Sequence, residues 1–244
     1  TPGALAALAE HETLPPGTGE RFAGYGIMGQ PFRSGHVLAL RRFPATSIGP
    51  GYSSVWHGDP HGRWTMWSDV QPLQACARYF GAALAAASET PIEIEWSDPW
   101  TIHVHIDDVL DWRSTIVSTS ATRLMTAAGS RLPDRLWHNR PMVTVMSRLA
   151  GPVLRAGTIR LQGRVPSEQR FQVSPKHVWA TSEVVATLHG QPLGGGGRIT
   201  PQRWLGGFPI PNRGLFAVGS ATFETYQPAH HRRQLPEDDR TDLP

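Results

Sequence analysis

The sequence predicts an all-β fold, an antiparallel sandwich or barrel, with one helical insertion around residues 120–156. Three observations carry this. Runs in which apolar and polar side chains alternate recur along the chain, as in half-buried strands. Turn residues bound those runs: 25 Gly and 22 Pro divide the 244 residues into short segments. Apolar residues at three- and four-residue spacing gather between 120 and 156, where they mark helix instead.

Residues 1–20 read as an N-terminal arm with a short Ala-rich helix before LPPGTGE. GHVLALRRFPA (35–45) is a strand, and GYSSVWHGDPHGRWTMWSDV (51–70) is a hairpin turning at GDPHG (58–62). PLQACARYFGAALAAASE (72–89) fits a turn or two of helix, because alanine favours it. PIEIEWSDPWTIHVHIDD (91–108) is a second hairpin, with VLDWRSTIVST (109–119) as its third partner. In the insertion, Leu124, Met125 and Ala128 share one helical face, and Val145, Met146 and Leu149 share another. Pro133 suits a first helical turn, whereas Pro141 and Pro152 limit helix length. Strands resume in TIRLQGRV, QRFQV, HVWATSEVVATLHG and RGLFAVGSATFETYQP. The expected organisation is one β domain over 21–226, followed by a mobile charged tail over 227–244.

Strand side chains alternate between faces. A five-residue loop in the first hairpin sets Trp56 opposite Trp64 and His57 opposite Arg63. Tyr52, Ser54, Trp56, Trp64, Met66 and Ser68 then share an aromatic face. Ser53, Val55, His57, Arg63, Thr65, Trp67 and Asp69 share a mainly polar one. In the second hairpin Ile92, Ile94, Trp96, Trp100, Ile102, Val104 and Ile106 share an apolar face, opposite Glu93, Glu95, Thr101, His103 and His105. A three-residue loop pairs Trp96 with Trp100 and sets Glu93 across from His103.

Trp56, Trp64, Trp96 and Trp100 are thus expected on one apolar side. In a sandwich that side is packed core; in a closed barrel it is a lumen that takes a ligand. Nine tryptophans in the chain favour the lumen. Trp56, Trp64, Met66, Trp96 and Trp100 are therefore candidate substrate-binding residues, with Met125 and Met146 capping one end from the insertion.

Glu183 (VWATSEVVATL), Glu224 (ATFETYQP) and Asp69 (RWTMWSD) are carboxylates in largely apolar strands. Pointed into a cavity, such a group is desolvated, its pKa rises and it becomes a general acid. Pointed outward, it is an ordinary strand carboxylate. His103 and His105 form a His-x-His that resembles the cupin motif, and with Glu93 they suit a divalent metal. The same alternation on a solvated hairpin gives only a surface Glu–His pair. LGGGGR (193–198) lacks the Lys-Ser/Thr of a phosphate-binding loop, and neither G-x-S-x-G nor a strand followed by G-x-G-x-x-G occurs. Lys176, the single lysine beside 22 arginines, reads as a surface residue at a turn.

A net charge of +3 without a basic stripe argues against a nucleic-acid partner. No apolar run reaches the roughly 18 residues of a membrane-spanning helix, so stable membrane insertion is not expected. Cys76 stands alone, which excludes an intrachain disulfide and fits a reducing cytoplasm. The opening TPGALAALAE has no basic stretch and is not expected to act as a signal peptide. Nothing in the sequence sets the oligomeric state.

The pattern GHVLALRRF, GRWTMWSDV, IEIEWSDPWTIHVHI, over residues 33–118, resembles the lipocalin-like (calycin) β-barrels. Within them it is similar to the carotenoid 1,2-hydratase (hydroxyneurosporene synthase) group. The resemblance implies a barrel, a hydrophobic ligand and cofactor-independent hydration, isomerisation or cyclisation; no catalytic residue is carried over from it. The expected protein is a lipocalin-like antiparallel barrel, a lyase or isomerase without cofactor. Its substrate is one hydrophobic small molecule, isoprenoid- or polyketide-like. The tryptophans hold it and face developing positive charge, while Glu183, Glu224 or Asp69 moves the proton. The alternatives are a non-catalytic carrier or sensor, and a cupin-like metal enzyme at Glu93, His103 and His105.

Overall fold

A computed structural model describes residues 1–137, 139–232 and 235 of the chain. The first half runs α1 (Pro2–Ala9), β1 (Glu20–Ile27), β2 (Gln30–Pro31), β3 (Val37–Thr46), β4 (Tyr52–Gly58), β5 (Trp64–Ser68), α2 (Ala77–Phe80), β6 (Ala86–Glu89), β7 (Glu93–Asp98), β8 (Thr101–Ile106) and β9 (Leu110–Val117). Three helices follow: α3 (Ser120–Arg131), α4 (Asp134–Trp137) and α5 (Arg140–Leu154). Strands resume with β10 (Gln162–Arg164), β11 (Arg170–Leu188), β12 (Gln191–Pro192), β13 (Trp204–Leu205), β14 (Phe208–Pro209) and β15 (Leu215–Phe223).

One strongly curled sheet, a half-barrel, orders its main strands β6-β5-β4-β3-β1-β15-β11-β9-β8-β7. The fold is mostly β rather than all-β. Among the described residues no pairing joins β6 to β7, so the expected closed antiparallel barrel is corrected to an open sheet. Nor is every pair antiparallel: β5 and β6 run parallel. Parallel neighbours need a crossover, and the segment carrying α2 supplies it.

The hairpin registers differ from expectation by two residues. Trp56 faces Met66 and Gly58 faces Trp64; Glu93 faces His105, Glu95 faces His103 and Trp96 faces Ile102. Side chains alternate with period two, so a slip of two leaves each on its expected face. The larger correction is that the two aromatic faces look to opposite sides of the sheet. Tyr52, Trp56, Trp64 and Met66 join one core, whereas Trp96 and Trp100 pack on another with Ile102, Val104 and Trp112. Alternation relates neighbours within a hairpin; it says nothing about two hairpins separated by several strands of a curled sheet.

Much of the supposedly polar face of the first hairpin is buried as well: Ser53, Val55, His57 and Trp67 are covered, whereas Arg63 is exposed. His57 stacks on His36 and Trp67 at ring-centroid distances of 5.1 and 6.1 Å, and His36 Nδ1 lies 2.8 Å from His57 Nε2. Burial, then the neighbouring His36, lowers the His57 pKa from 6.5 to about 4. Between those values the unfolded chain binds a proton that the folded chain refuses. Stability is therefore full above about pH 6.5 and falls as pH drops toward 4, by roughly 3 kcal/mol. Urea titrations at about pH 7.5 and about pH 4.5 should show this loss, and His57→Leu should flatten it. An unchanged slope in the variant would assign the acid lability to other groups.

The N-terminal arm is docked. Ala6 and Ala9 of α1 are buried, and Glu10 accepts from Tyr25 Oη at 2.9 Å and pairs with Arg42 at 2.7 Å. Of the expected tail, residues 233, 234 and 236–244 lie outside the described residues. Its first part is tied down: His231 is buried, and the Arg232 N–H donates to Ser167 O at 3.0 Å.

Candidate functional site

Between the helices α3–α5 and the sheet around β11 and β15 lies a cavity of about 180 Å³. Gly129 lets α3 approach β11 this closely, because a Cβ there would stand 2.6 Å from Pro175 O. Pro175 sits at a bulge in β11, where the ladder gives up a hydrogen bond. On β15 the small residues Ala217, Gly219 and Ala221 leave the volume open. The walls are Phe22, Trp56, Phe80, Phe171 and Phe223, with Met125, Trp137 and Met146 from the helices. Among the described residues no Asp, Glu, His or Lys lines it.

Two arginines interrupt this apolar lining: Arg160, which is exposed, and Arg41, which is buried. Val37, Ala39, Arg41 and Phe43 alternate onto the same face of β3, and the strand carries a guanidinium inward. Arg41 is buried; Nη1 donates to Ile27 O and Leu40 O at 2.8 Å each, and Nη2 to Met28 O at 3.3 Å. Its charge lies 4.5 Å from the Trp56 ring centroid. Among the described residues no carboxylate forms an ion pair with it. Burial lowers its pKa to about 10, so it remains a cation at neutral pH.

Beside it, Tyr52 Oη and Cys76 Sγ are 3.4 Å apart. Burial pushes the Tyr52 phenol well above its ordinary pKa and raises the Cys76 thiol. Both are protonated at neutral pH, hence proton donors rather than bases. A further wall residue, Tyr79, donates to Glu20 at 2.6 Å. Arg78 Nη2 lies 2.5 Å from the other Glu20 oxygen, and Gln169 donates at 3.2 Å. Burial alone would raise the Glu20 pKa, but Arg78 and Tyr79 outweigh it and hold it below the ordinary value.

Of the residues singled out from sequence, Trp56, Met125 and Met146 line the cavity. Trp64 and Met66 are buried on the same side without reaching it, and Trp96 and Trp100 are on the other side. The three carboxylates stand outside the cavity, a correction to their expected placement. Glu183 is exposed at a register shift of β11, where the alternation breaks. Glu224 is exposed just beyond β15, and the Arg170 N–H holds its pKa down. Asp69 accepts from the Ser53 N–H at 2.7 Å, stapling the hairpin end. His103 and His105 lie on a half-exposed face, with His105 3.1 Å from Asp107; no three potential metal ligands converge among the described residues. Lys176 lies inside β11 rather than at a turn, its ammonium 5.9 Å from the Trp137 ring.

Sequence reasoning missed Arg41, Tyr52, Tyr79 and Glu20 as a set. The signal for Arg41 was present: it follows Val37 and Ala39 at period two in an otherwise apolar strand face. Tyr79 and Glu20 are 59 residues apart in sequence, and no local pattern joins them.

No family model matches this sequence, and no curated protein matches it. Among solved structures the chain is similar to acetoacetate decarboxylase from Legionella pneumophila, with 10% identity, 88% of each chain covered and a TM-score of 0.40.

Proposed function

We propose that this chain binds one small hydrophobic acid in the cavity beneath α3–α5, its apolar part against the aromatic walls and its carboxylate on Arg41. The carrying observation is the Arg41 cation, buried in a mainly apolar cavity and without a carboxylate partner among the described residues. Burying an unpaired charge is costly unless something compensates it, and an incoming anion does so. The volume sets the size: an apolar cavity of about 150 Å³ accommodates benzene, so about 180 Å³ suits one ring with small substituents or a short chain. That is the scale of a single isoprenoid or polyketide unit, not of a long polyene.

Calorimetric titration with benzoate, hexanoate and benzyl alcohol tests this. A charge-assisted hydrogen bond contributes about 1.5–3 kcal/mol, so an acid should bind roughly 10- to 150-fold tighter than the alcohol. Equal affinities, or no binding of any of the three, would overturn the reading.

A second reading, a lyase or isomerase without cofactor, is favoured by the cluster of Arg41, Tyr52 and Cys76. It offers a cation for a developing oxyanion and protonated groups for a carbanion. The described lining holds no side-chain base, so such chemistry suits steps that end in protonation. Conversion of a bound acid, lost in Tyr52→Phe with binding retained, would favour this reading over simple carriage.

A further inference from the structure

Among the described residues nothing covers the outer side of α5. Pro141, Val145, Arg148, Leu149 and Pro152 recur at the spacing of one helix face, and all are exposed. Val145 is 53% exposed and Leu149 58%, while Leu124 on α3 is 62% exposed. The inner sides of the same helices line the cavity with Met125, Met146 and Ala150. Each helix is thus apolar on two sides, of which the protein buries one.

The segment carrying that face is strongly basic. From 120 to 160 the sequence contains seven arginines and a single acid, Asp134. Seven less one is a formal +6, against +3 for the whole chain, so the remainder carries −3. Arg123, Arg131, Arg140, Arg148, Arg155 and Arg160 are exposed, and none forms an ion pair among the described residues. A shallow groove along α5 gathers Arg148, Arg155, Arg160 and Arg198 with no acidic side chain in its described lining. Trp204 is 41% exposed, with Arg160 5.4 Å from its ring.

We propose that this α5 face is the surface by which the protein rests on an anionic lipid bilayer. Val145 and Leu149 enter the headgroup region, the arginines meet lipid phosphates, and Trp204 sits at the interfacial level where indoles concentrate. A polyanion such as nucleic acid would satisfy the arginines and leave the apolar stripe in water. A second copy of this chain would cover the stripe and set arginine against arginine. A bilayer with anionic headgroups offers both phases at once. The contact is peripheral: no helix among the described residues is long and apolar enough to cross a membrane. The proposal does not rest on which ligand the cavity takes.

Flotation of the whole chain with phosphatidylcholine vesicles, with and without about 30% phosphatidylglycerol, tests it. The protein should float with the anionic vesicles, detach as salt rises and ignore the neutral ones. Arg148→Glu changes two units of charge at roughly fivefold each, so partition should fall on the order of 20-fold. Leu149→Ser should weaken it independently of salt. Neither side chain lines the cavity, so an unchanged thermal midpoint and circular-dichroism spectrum report that both variants are folded. Absence of flotation, or flotation that neither substitution alters, overturns the proposal. So does a dimer in solution that Leu149→Ser dissociates, which would make a second copy the occupant. So does an oligonucleotide bound with equal strength by wild type and Leu149→Ser.

Discussion

Replacing Arg41 with methionine is expected to stabilise the ligand-free chain while removing its preference for acids. Both effects have one origin. Burial lowers the Arg41 pKa from 12.5 to about 10, which corresponds to roughly 3 kcal/mol spent holding the charge out of water. Methionine fills similar volume without that cost. The carbonyls of Ile27, Leu40 and Met28 lose a donor, and this returns about 1–2 kcal/mol. The net gain is about 1–2 kcal/mol, or a few degrees in the thermal midpoint. Acid binding moves the other way: a carboxylate left buried without its partner loses about 2–5 kcal/mol. Melting curves and benzoate titrations on the same two proteins measure both. A variant that is less stable and binds acids as before would show Arg41 to be a staple between β1 and β3 rather than a ligand site.

Glu20→Ala is expected to be the most damaging single substitution, at about 3–5 kcal/mol. Glu20 is buried and accepts from Arg78, Tyr79 and Gln169. Its removal strands the Arg78 cation and frees the Tyr79 hydroxyl. Tyr79 is a wall of the cavity and stacks on Phe223 at 3.9 Å, so acid binding should weaken along with stability. The same carboxyl adds an acid limb. Its folded pKa lies below the ordinary 4.5, so its contribution is present above pH 4.5 and is lost as pH falls through the lowered value. Denaturant unfolding of Glu20→Ala and of Glu20→Leu/Arg78→Met distinguishes the causes. Recovery in the double variant means that the stranded cation was the cost; no recovery means that packing was.

These two sites mark where local pattern stops carrying information. Within the hairpins the faces of Trp56, Trp64 and Met66 were legible because period-two alternation survives a slip of two residues. Strand positions were legible for the same reason, but the helix faces expected across 120–156 were not: Met125 and Met146 line the cavity, whereas Leu124, Ala128, Val145 and Leu149 are exposed. Arg41 was readable as an inward-facing cation, yet only the folded chain shows that no carboxylate among the described residues meets it. Glu183 reads as a buried acid in an apolar run, but a register shift in β11 turns it to solvent.

By itself the sequence determined the repertoire: a β-rich fold, aromatic strand faces and a segment of helical apolar spacing across 120–156. The tertiary structure alone decided the assembly: which aromatic face closes over a cavity, that Trp96 and Trp100 turn away from it, and that Glu20 secures Tyr79. The division follows from range. Alternation and helical spacing are set by backbone geometry over a few residues, whereas cavity walls, ion pairs and the side of a curled sheet come from strands brought together across the whole chain.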